Sequence, residues 1–272
     1  MKKLKRNNRE DAAREADILR SLRGDTHQHD HLISLLATYE HNGDFFLIFP
    51  LAESDLQRFW RRLTPRYGDP GMGKWLVEQC LGIASALCKI HRYETFPRTS
   101  KLWNANHTRK STKTRQDLAS ILEDSDKNPQ RQLFGRHGDI KPNNILFFEN
   151  LRSGNGLGTL KITDFGITRF STEDKSFLQE GEKVSCTHTY QSPECVLAKN
   201  ISTACDIWAL GCLYLEFILW FLRGHGALRD FSRQRGGSYE SDAFFERVGQ
   251  DRYTGAPLAQ VKPCVTQVRC LR

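Results

Sequence analysis

The sequence predicts an α+β fold, in which helices alternate with short antiparallel hairpins. Three observations predict it. Apolar residues recur at helical spacing over 8–23 and again over 75–91. Two pairs of short apolar runs, 32–37 with 45–51 and 145–148 with 160–163, are each separated by turn-forming residues, the pattern of antiparallel hairpins. Finally, the run from Ile207 to Leu222 is apolar but carries Glu216, which is short for a membrane span and fits a core helix.

Composition narrows the functional classes. A chain of 272 residues with 39% hydrophobic and 26% charged residues buries a real core and is too apolar for wholesale disorder. The net charge of +8 favours anionic partners such as nucleotides, acidic proteins or nucleic acid, without choosing among them. None of the eight cysteines forms a C-x-x-C pair, so neither a zinc knuckle nor a thioredoxin-type motif is supported. The basic start MKKLKRNNRE has no apolar stretch behind it, as a secretory signal would require. A reducing compartment, the cytoplasm or the nucleus, is expected.

In the first helix, over 8–23, Ala12, Glu15, Ala16, Leu19 and Leu22 share a face. Glu15 is a carboxylate inside an apolar stripe, and such a group needs a cation or an outlet to water. Leu32–Ala37 and Phe45–Leu51 read as a hairpin across Tyr39–Asp44. Residues 55–63 fit a short helix, and a Pro- and Gly-rich loop over 64–73 precedes the long helix ending near His91. From 95 to about 135 the chain reads as an insertion. Its first part carries Arg98, Lys101, Arg109, Lys110, Lys113 and Arg115 and no acid, which suits a solvated loop better than a nucleic-acid arm. His27, His29 and His31 alternate but lack a carboxylate or cysteine cluster to complete a metal site. Beyond 223 the periodicity fades.

The chemistry gathers around the second hairpin. Asn144 stands just before its first strand and Asp164 just after its second, so an antiparallel pairing brings an amide oxygen and a carboxylate to one open end. Magnesium favours such a sparse set of hard oxygens, completed by water and phosphate. Asp139 and Lys141 lie in the loop leading to Asn144. A carboxylate beside a lysine, next to a metal site, suits phosphoryl transfer: one orients a hydroxyl and accepts its proton, and the other neutralises charge on the transferred group.

The segments HGDIKPNNIL (137–146), DFG (164–166), SPE (192–194) and DIWALGC (206–212), in this order, resemble the eukaryotic protein-kinase family. The resemblance runs from about residue 2 to about 245 and implies a two-lobed fold. Residues 1–52 would be a remnant small lobe, and 53–272 the large lobe, interrupted by the 95–135 insertion. It implies Asp139 as catalytic base, Lys141 as the phosphate-contacting lysine, and Asn144 and Asp164 as magnesium ligands. Lys141, with Thr187 in CTHTYQSPE, resembles the serine/threonine class. For ATP it implies Lys2 and its partner Glu15, Phe49 in the gatekeeper position, Leu51 and Ala52 in the hinge, and Asp55 near the ribose. Asp206 resembles the buried aspartate that holds the catalytic loop through its backbone. RHGDIKPNNILFF and LEFILW also resemble kinase-like domains common in filamentous fungi. The implied cofactors are ATP and Mg2+, and the implied partner is a protein presenting Ser or Thr, with no membrane and no nucleic acid.

The sequence departs from the family in four places. The strands carrying a Gly-rich loop would lie before Met1, and MKKL reads as the end of the strand that bears the ATP lysine. Gly138 stands where the family carries an arginine that pairs with a phosphorylated activation segment. Activity is therefore expected not to depend on phosphorylation of Thr168, Ser171, Thr172, Ser176, Ser185 or Thr187. No arginine in 246–272 can be assigned to Glu194, and the chain is expected to be truncated at both ends. His137-Gly138-Asp139 also resembles the loop of aminoglycoside- and choline-type phosphotransferases, but Lys141, Pro193-Glu194 and Asp206 favour a protein substrate. The rival expectation is a kinase-like module that binds without catalysing.

Overall fold

The structure is a computed structural model describing residues 1–4, 9–22, 29–65, 68–94, 132–150, 157–171, 187–197, 201–236 and 242–268. His27, the basic run over 95–116, Thr172, Ser176 and Ser185 lie outside the described residues.

Strand β1 (Lys2–Leu4) pairs antiparallel with β3 (Asp44–Ile48), placing Lys2 opposite Leu47. Strand β2 (Ala37–His41) pairs with the other edge of β3, giving the sheet order β1-β3-β2. Helix α1 (Arg9–Ser21) packs on this sheet, with Ala12, Ala16 and Leu19 buried and Glu15 only 2% exposed.

The first hairpin differs from the sequence expectation. Its turn is not the six residues of 39–44 but Asn42-Gly43 alone, with φ of 50° and 81°. Two positive φ values make the mirror-image turn whose twist matches that of the strands. The run 32–36 instead reaches the second hairpin: Leu32 bridges Ile162 in parallel, and Ile33 N–H donates to the Ile162 carbonyl at 3.0 Å.

Strand β4 (Ser54–Asp55) runs into α2 (Leu56–Arg62), and Asp55 caps that helix by accepting the Arg58 N–H at 2.8 Å. Helix α3 (Pro70–His91) is capped by Asp69 with proline in its first turn, and it buries Trp75, Leu76, Ile83, Leu87 and Ile90. Strand β5 (Tyr93–Glu94) pairs with β6 (Gln132–Arg136), which pairs in turn with β9 (Arg169–Ser171). Strand β6 begins at Gln132, at the far end of the insertion expected over about 95–135. Leu133 is 1% exposed, because this strand lies between two partners and over the core.

The second hairpin forms over the expected residues. Strand β7 (Ile145–Phe148) pairs with β8 (Thr159–Ile162) so that Ile145 faces Ile162, and β4 adds to the far side of β7. Gln79 and Trp75 of α3 fasten it: Leu160 N–H donates to Gln79 Oε1 at 2.9 Å, and Trp75 Nε1–H to the Gly158 carbonyl at 2.6 Å.

A short α4 (Pro193–Val196) precedes α5 (Ala204–Gly236). The second half of α5 was not expected. It continues past a break at Gly224, whose φ of 74° is open to glycine and costly for other residues. The apolar half packs as a core helix. Phe217 and Trp220 are fully buried among Phe59, Trp60 and Trp75, and Trp220 Nε1–H donates to the Trp60 carbonyl at 3.0 Å. Ring pairs of this kind add about 0.5–1.5 kcal/mol each beyond their burial.

Residues 242–268 hold a further hairpin, β10 (Phe245–Gln250) with β11 (Pro257–Val261), then a short α6 (Pro263–Thr266). A buried ion pair joins this region to the core. Arg235 Nη2 donates to Glu216 Oε1 at 2.8 Å, and the guanidinium lies between the rings of Phe231 and Phe244 at 4.2 and 4.0 Å. Arg235 Nε–H also donates to the Asp242 carbonyl at 3.0 Å. The other oxygen of Glu216 accepts from Tyr190 Oη at 2.6 Å. Burial, with the Asp242 charge, holds the Glu216 carboxyl above its ordinary value, although Arg235 and the tyrosine hydroxyl oppose this.

Candidate active site

The open end of the β7–β8 hairpin places Asn144 and Asp164 side by side in the chain's path: Thr163 N–H donates to the Asn144 carbonyl at 2.9 Å. Asp164 has φ of 66°, a left-handed conformation that non-glycine residues adopt at a cost, and such strain clusters at functional sites. Phe165 behind it is fully buried against the His137 ring.

Two sets of contacts form here. In the first, Lys2 Nζ donates to both oxygens of Glu15 at 2.8 and 2.7 Å and to Asp164 Oδ1 at 2.7 Å. The pairing of β1 with β3 aims the lysine, and α1 supplies the glutamate. Burial works against the charge on Lys2, but Glu15 and Asp164 outweigh it and hold the lysine pKa above its ordinary value. Burial likewise pushes up the Asp164 carboxyl, and Lys2 more than reverses this, leaving it below the ordinary range. Lys2 is thus more than a solvated N-terminal cation.

In the second set, Lys141 Nζ meets Asp139 Oδ2 at 2.7 Å, and Asn144 Nδ2–H donates to Asp139 Oδ2 and to its carbonyl, both at 2.8 Å. Thr187 joins the pair: its hydroxyl donates to Asp139 Oδ1 at 2.9 Å and accepts from Lys141 Nζ at 2.7 Å. The sequence named Thr187 but gave no sign that its hydroxyl bridges the two charged groups.

The loop that carries Asp139 is suspended from Asp206. Oδ2 accepts the His137 N–H at 2.7 Å and meets His91 Nε2 at 3.0 Å, while Oδ1 accepts the Gly138 N–H at 2.8 Å. Asp206 is 1% exposed; burial would raise its pKa, but His91 and His137 lower it overall. His137 is fully buried, which holds its imidazole neutral and lowers its pKa. Asp139 N–H donates to its Nδ1 at 3.3 Å, so the proton resides on Nε2, 3.1 Å from the Thr163 carbonyl. The sequence offered no sign that His91 takes part.

Gly138 has φ of 87°. A cation stands beside it after all. Arg136, 5% exposed, has Nη1 3.4 Å from where a Gly138 Cβ would lie, and it lines a cavity of about 20 Å³ with Asp139, Thr187 and Ser192. Thr168, among the expected hydroxyls, is fully buried and donates to the His137 carbonyl at 3.3 Å. Glu194 accepts a thiol hydrogen bond from Cys205 at 3.4 Å.

The remaining expected residues are less closely tied. Phe49 follows β3 and packs half-buried on the core, Leu51 is 95% exposed, and Ala52 is half-buried. Asp55 uses its carboxylate as the α2 cap, and among the described residues no hydrogen bond links it to either set.

Comparison with known proteins is consistent with this geometry. Residues 134–222 match the family model of the protein kinase domain, a stretch that begins in β6, ends in α5 and includes every residue from Asp139 to Asp206 discussed above. Among similar curated proteins, probable cyclin-dependent kinase 8 of Dictyostelium discoideum is 43% identical over 84 residues, covering 30% of this chain and 21% of that protein. Mitogen-activated protein kinase kinase kinase 20 of Arabidopsis thaliana is 38% identical over 80 residues, 29% of this chain and 21% of that protein. Serine/threonine-protein kinase SSN3 of Yarrowia lipolytica is 36% identical over 83 residues, 30% of this chain and 19% of that protein. The chain thus spans about a fifth of the length of the curated relatives it matches.

Proposed function

We propose, from the premise that this chain belongs to the eukaryotic protein-kinase family, that it transfers the γ-phosphoryl of Mg-ATP to serine or threonine hydroxyls of a protein. The observation that carries this reading is the Thr187 hydroxyl held between Asp139 and Lys141 at 2.9 and 2.7 Å. This supports the reading because a preset Asp139–Lys141 pair would offer an acceptor for the substrate proton and a cation for the transferred phosphoryl without further positioning.

In this reading Asp139 orients the attacking hydroxyl and takes its proton, and Lys141 neutralises charge on the phosphoryl oxygens. Lys2, kept cationic by Glu15, faces the ATP phosphates, and Asp206 positions the loop. Phe49, Leu51, Ala52 and Asp55 line the nucleotide's base and ribose. Residues 1–52 act as the small lobe and 53–272 as the large one, in the cytoplasm or the nucleus.

The residues fit magnesium. Asn144 donates its Nδ2–H groups to Asp139, which leaves Oδ1 as an acceptor, and Asp164 adds a carboxylate. A magnesium ion held by these two oxygens would be completed by phosphate and water. Bound magnesium supplies charge neutralisation at the phosphates.

The test is incorporation of radiolabelled phosphate from Mg-ATP into Ser/Thr peptides and into the chain itself. Incorporation lost in Asp139→Asn is the expected result. A folded, monodisperse sample that incorporates nothing would leave the binding-only module as the reading.

A further inference from the structure

Two thiols outside the phosphoryl-transfer residues lie in contact. Cys195 in α4 and Cys205 in the first turn of α5 have their sulfurs 3.4 Å apart. They belong to a short relay. Ser192 Oγ–H donates to Cys195 Sγ at 3.2 Å, Cys195 S–H donates to Cys205 Sγ, and Cys205 S–H donates to Glu194 Oε1 at 3.4 Å. Both cysteines line the same small cavity as Arg136 and Asp206.

We propose that Cys195 and Cys205 form a peroxide-oxidisable pair that closes into an intrachain disulfide between α4 and α5. The two sulfurs are not equivalent. Cys205 is 7% exposed, and its thiol is pushed up by the hydrogen bond with Cys195, by burial and by the Glu194 charge, so it resists ionisation. Cys195 is half-buried and the more accessible of the two sulfurs, with the Ser192 hydroxyl 3.2 Å away. Cys195 therefore meets the oxidant first.

The first step joins the Cys195 thiolate sulfur to one oxygen of hydrogen peroxide and breaks the O–O bond. The hydroxide leaves and becomes water with a solvent proton, and Cys195 becomes a sulfenic acid. In the second step Cys205 Sγ attacks Cys195 Sγ. The S–S bond forms, the S–O bond breaks, and the departing hydroxide leaves as a second water. Its proton comes from the Cys205 thiol, by way of the adjacent Glu194 carboxylate. Two thiols and one peroxide thus yield one disulfide and two waters. A disulfide is about 2.05 Å long, so the sulfurs close by little more than an ångström. The link would tie α4 to the residue immediately before Asp206, the carboxylate that suspends the Asp139 loop.

The experiment treats the reduced full chain with rising hydrogen peroxide, alkylates the remaining thiols and maps non-reduced peptides by mass. The expected product is one cross-linked peptide pair joining Cys195 to Cys205, lighter by two hydrogens and reopened by dithiothreitol, formed while the exposed Cys88 is still alkylated. In Cys205→Ser and Cys205→Ala, Cys195 should stop at a sulfenic acid that dimedone traps, and the wild-type chain should give little of that adduct. Both thiols remaining alkylatable after Cys88 is oxidised would overturn the proposal. So would Cys195 joined to another cysteine, or Cys195 driven to sulfinate in the wild-type chain without a cross-link. The wild-type map decides whether or not either variant folds, and it does not depend on phosphoryl transfer.

Discussion

Asp206 and Gly138 are 68 positions apart, and the carboxylate of one accepts the backbone N–H of the other at 2.8 Å. With the neighbouring bond to His137 N–H, this fixes two consecutive peptide groups from a carboxylate that is 1% exposed.

Asp206→Asn should therefore be costly, because an amide can present only one acceptor to donors that now meet two oxygens. The expected loss is about 3 kcal/mol, read as a lower urea midpoint. The pH dependence has a defined direction. His137 is held neutral by burial, below its ordinary value of 6.5, so its contribution is full above that pH and is lost as the pH falls below it. The Asp206 pKa is held below its ordinary 3.8 by His91 and His137 despite burial, so its contribution is present above that value and is lost as the pH falls through the lower folded-state value. The variant should lack the second, more acidic loss; equal slopes below pH 4 in both proteins would contradict this.

Lys2→Ala leaves Glu15 buried without its cation. Since the Lys2 side chain keeps 32% of its surface in water, the stability loss should be about 1–2 kcal/mol, below that of a fully buried pair. Adding Glu15→Gln should recover most of it, because the orphaned charge disappears. Binding of a non-hydrolysable Mg-ATP analogue, followed by calorimetry, should stay at least tenfold weaker, about 1.4 kcal/mol, in both variants.

Thr187→Val removes both hydrogen bonds of the bridge but leaves the Asp139–Lys141 ion pair at 2.7 Å. Peptide phosphorylation should slow by about 10–100-fold in kcat, the scale of a small misplacement of reacting groups, with nucleotide affinity unchanged. Thr187→Ser should retain most of the rate. A serine variant as slow as valine would show that the hydroxyl is not what matters.

Gly138→Ala should destabilise the protein by about 1–2 kcal/mol, since φ of 87° is strained for any residue with a Cβ. The added carbon would also stand 3.2 Å from Ile167 Cδ1. Gly138→Arg carries the same backbone cost, so restoring the family's arginine should not stabilise the loop; a raised melting temperature in either variant would contradict the strain.

The sequence reading was most accurate where strands are apolar and buried. Strands β7 and β8 were legible to within a residue because Ile145, Phe147, Leu160 and Ile162 all face the core. Strand β2 was missed because its side chains are nearly all exposed, so no apolar run marks it, and Asn42-Gly43 is its one local sign. The hairpin over 245–261 has the same character, with exposed positions after Phe245. In the site, Asp139, Lys141, Asn144 and Asp164 stood out because their chemistry is concentrated in one loop and one hairpin end. His91 did not, since nothing in a helix-terminal histidine announces a carboxylate 115 residues away. Arg136, two positions before Gly138, was passed over because nothing local shows that its side chain is buried beside that glycine.

Glu216 divides its two oxygens between Tyr190, three residues after Thr187, and Arg235, which the Asp242 carbonyl and the Phe244 ring help to hold. A single buried charge therefore answers to two distant masters. If the region beyond 242 is displaced, Arg235 loses the Asp242 carbonyl and the Phe244 ring and keeps only Phe231 beside it, so its hold on Glu216 loosens and the carboxyl moves further toward its protonated form. A protonated Glu216 holds Tyr190 less firmly, and the segment that presents the Thr187 hydroxyl loses one of its fixed points. The far end of the chain is in this sense a counterweight, and its position sets how firmly the centre of the molecule is held.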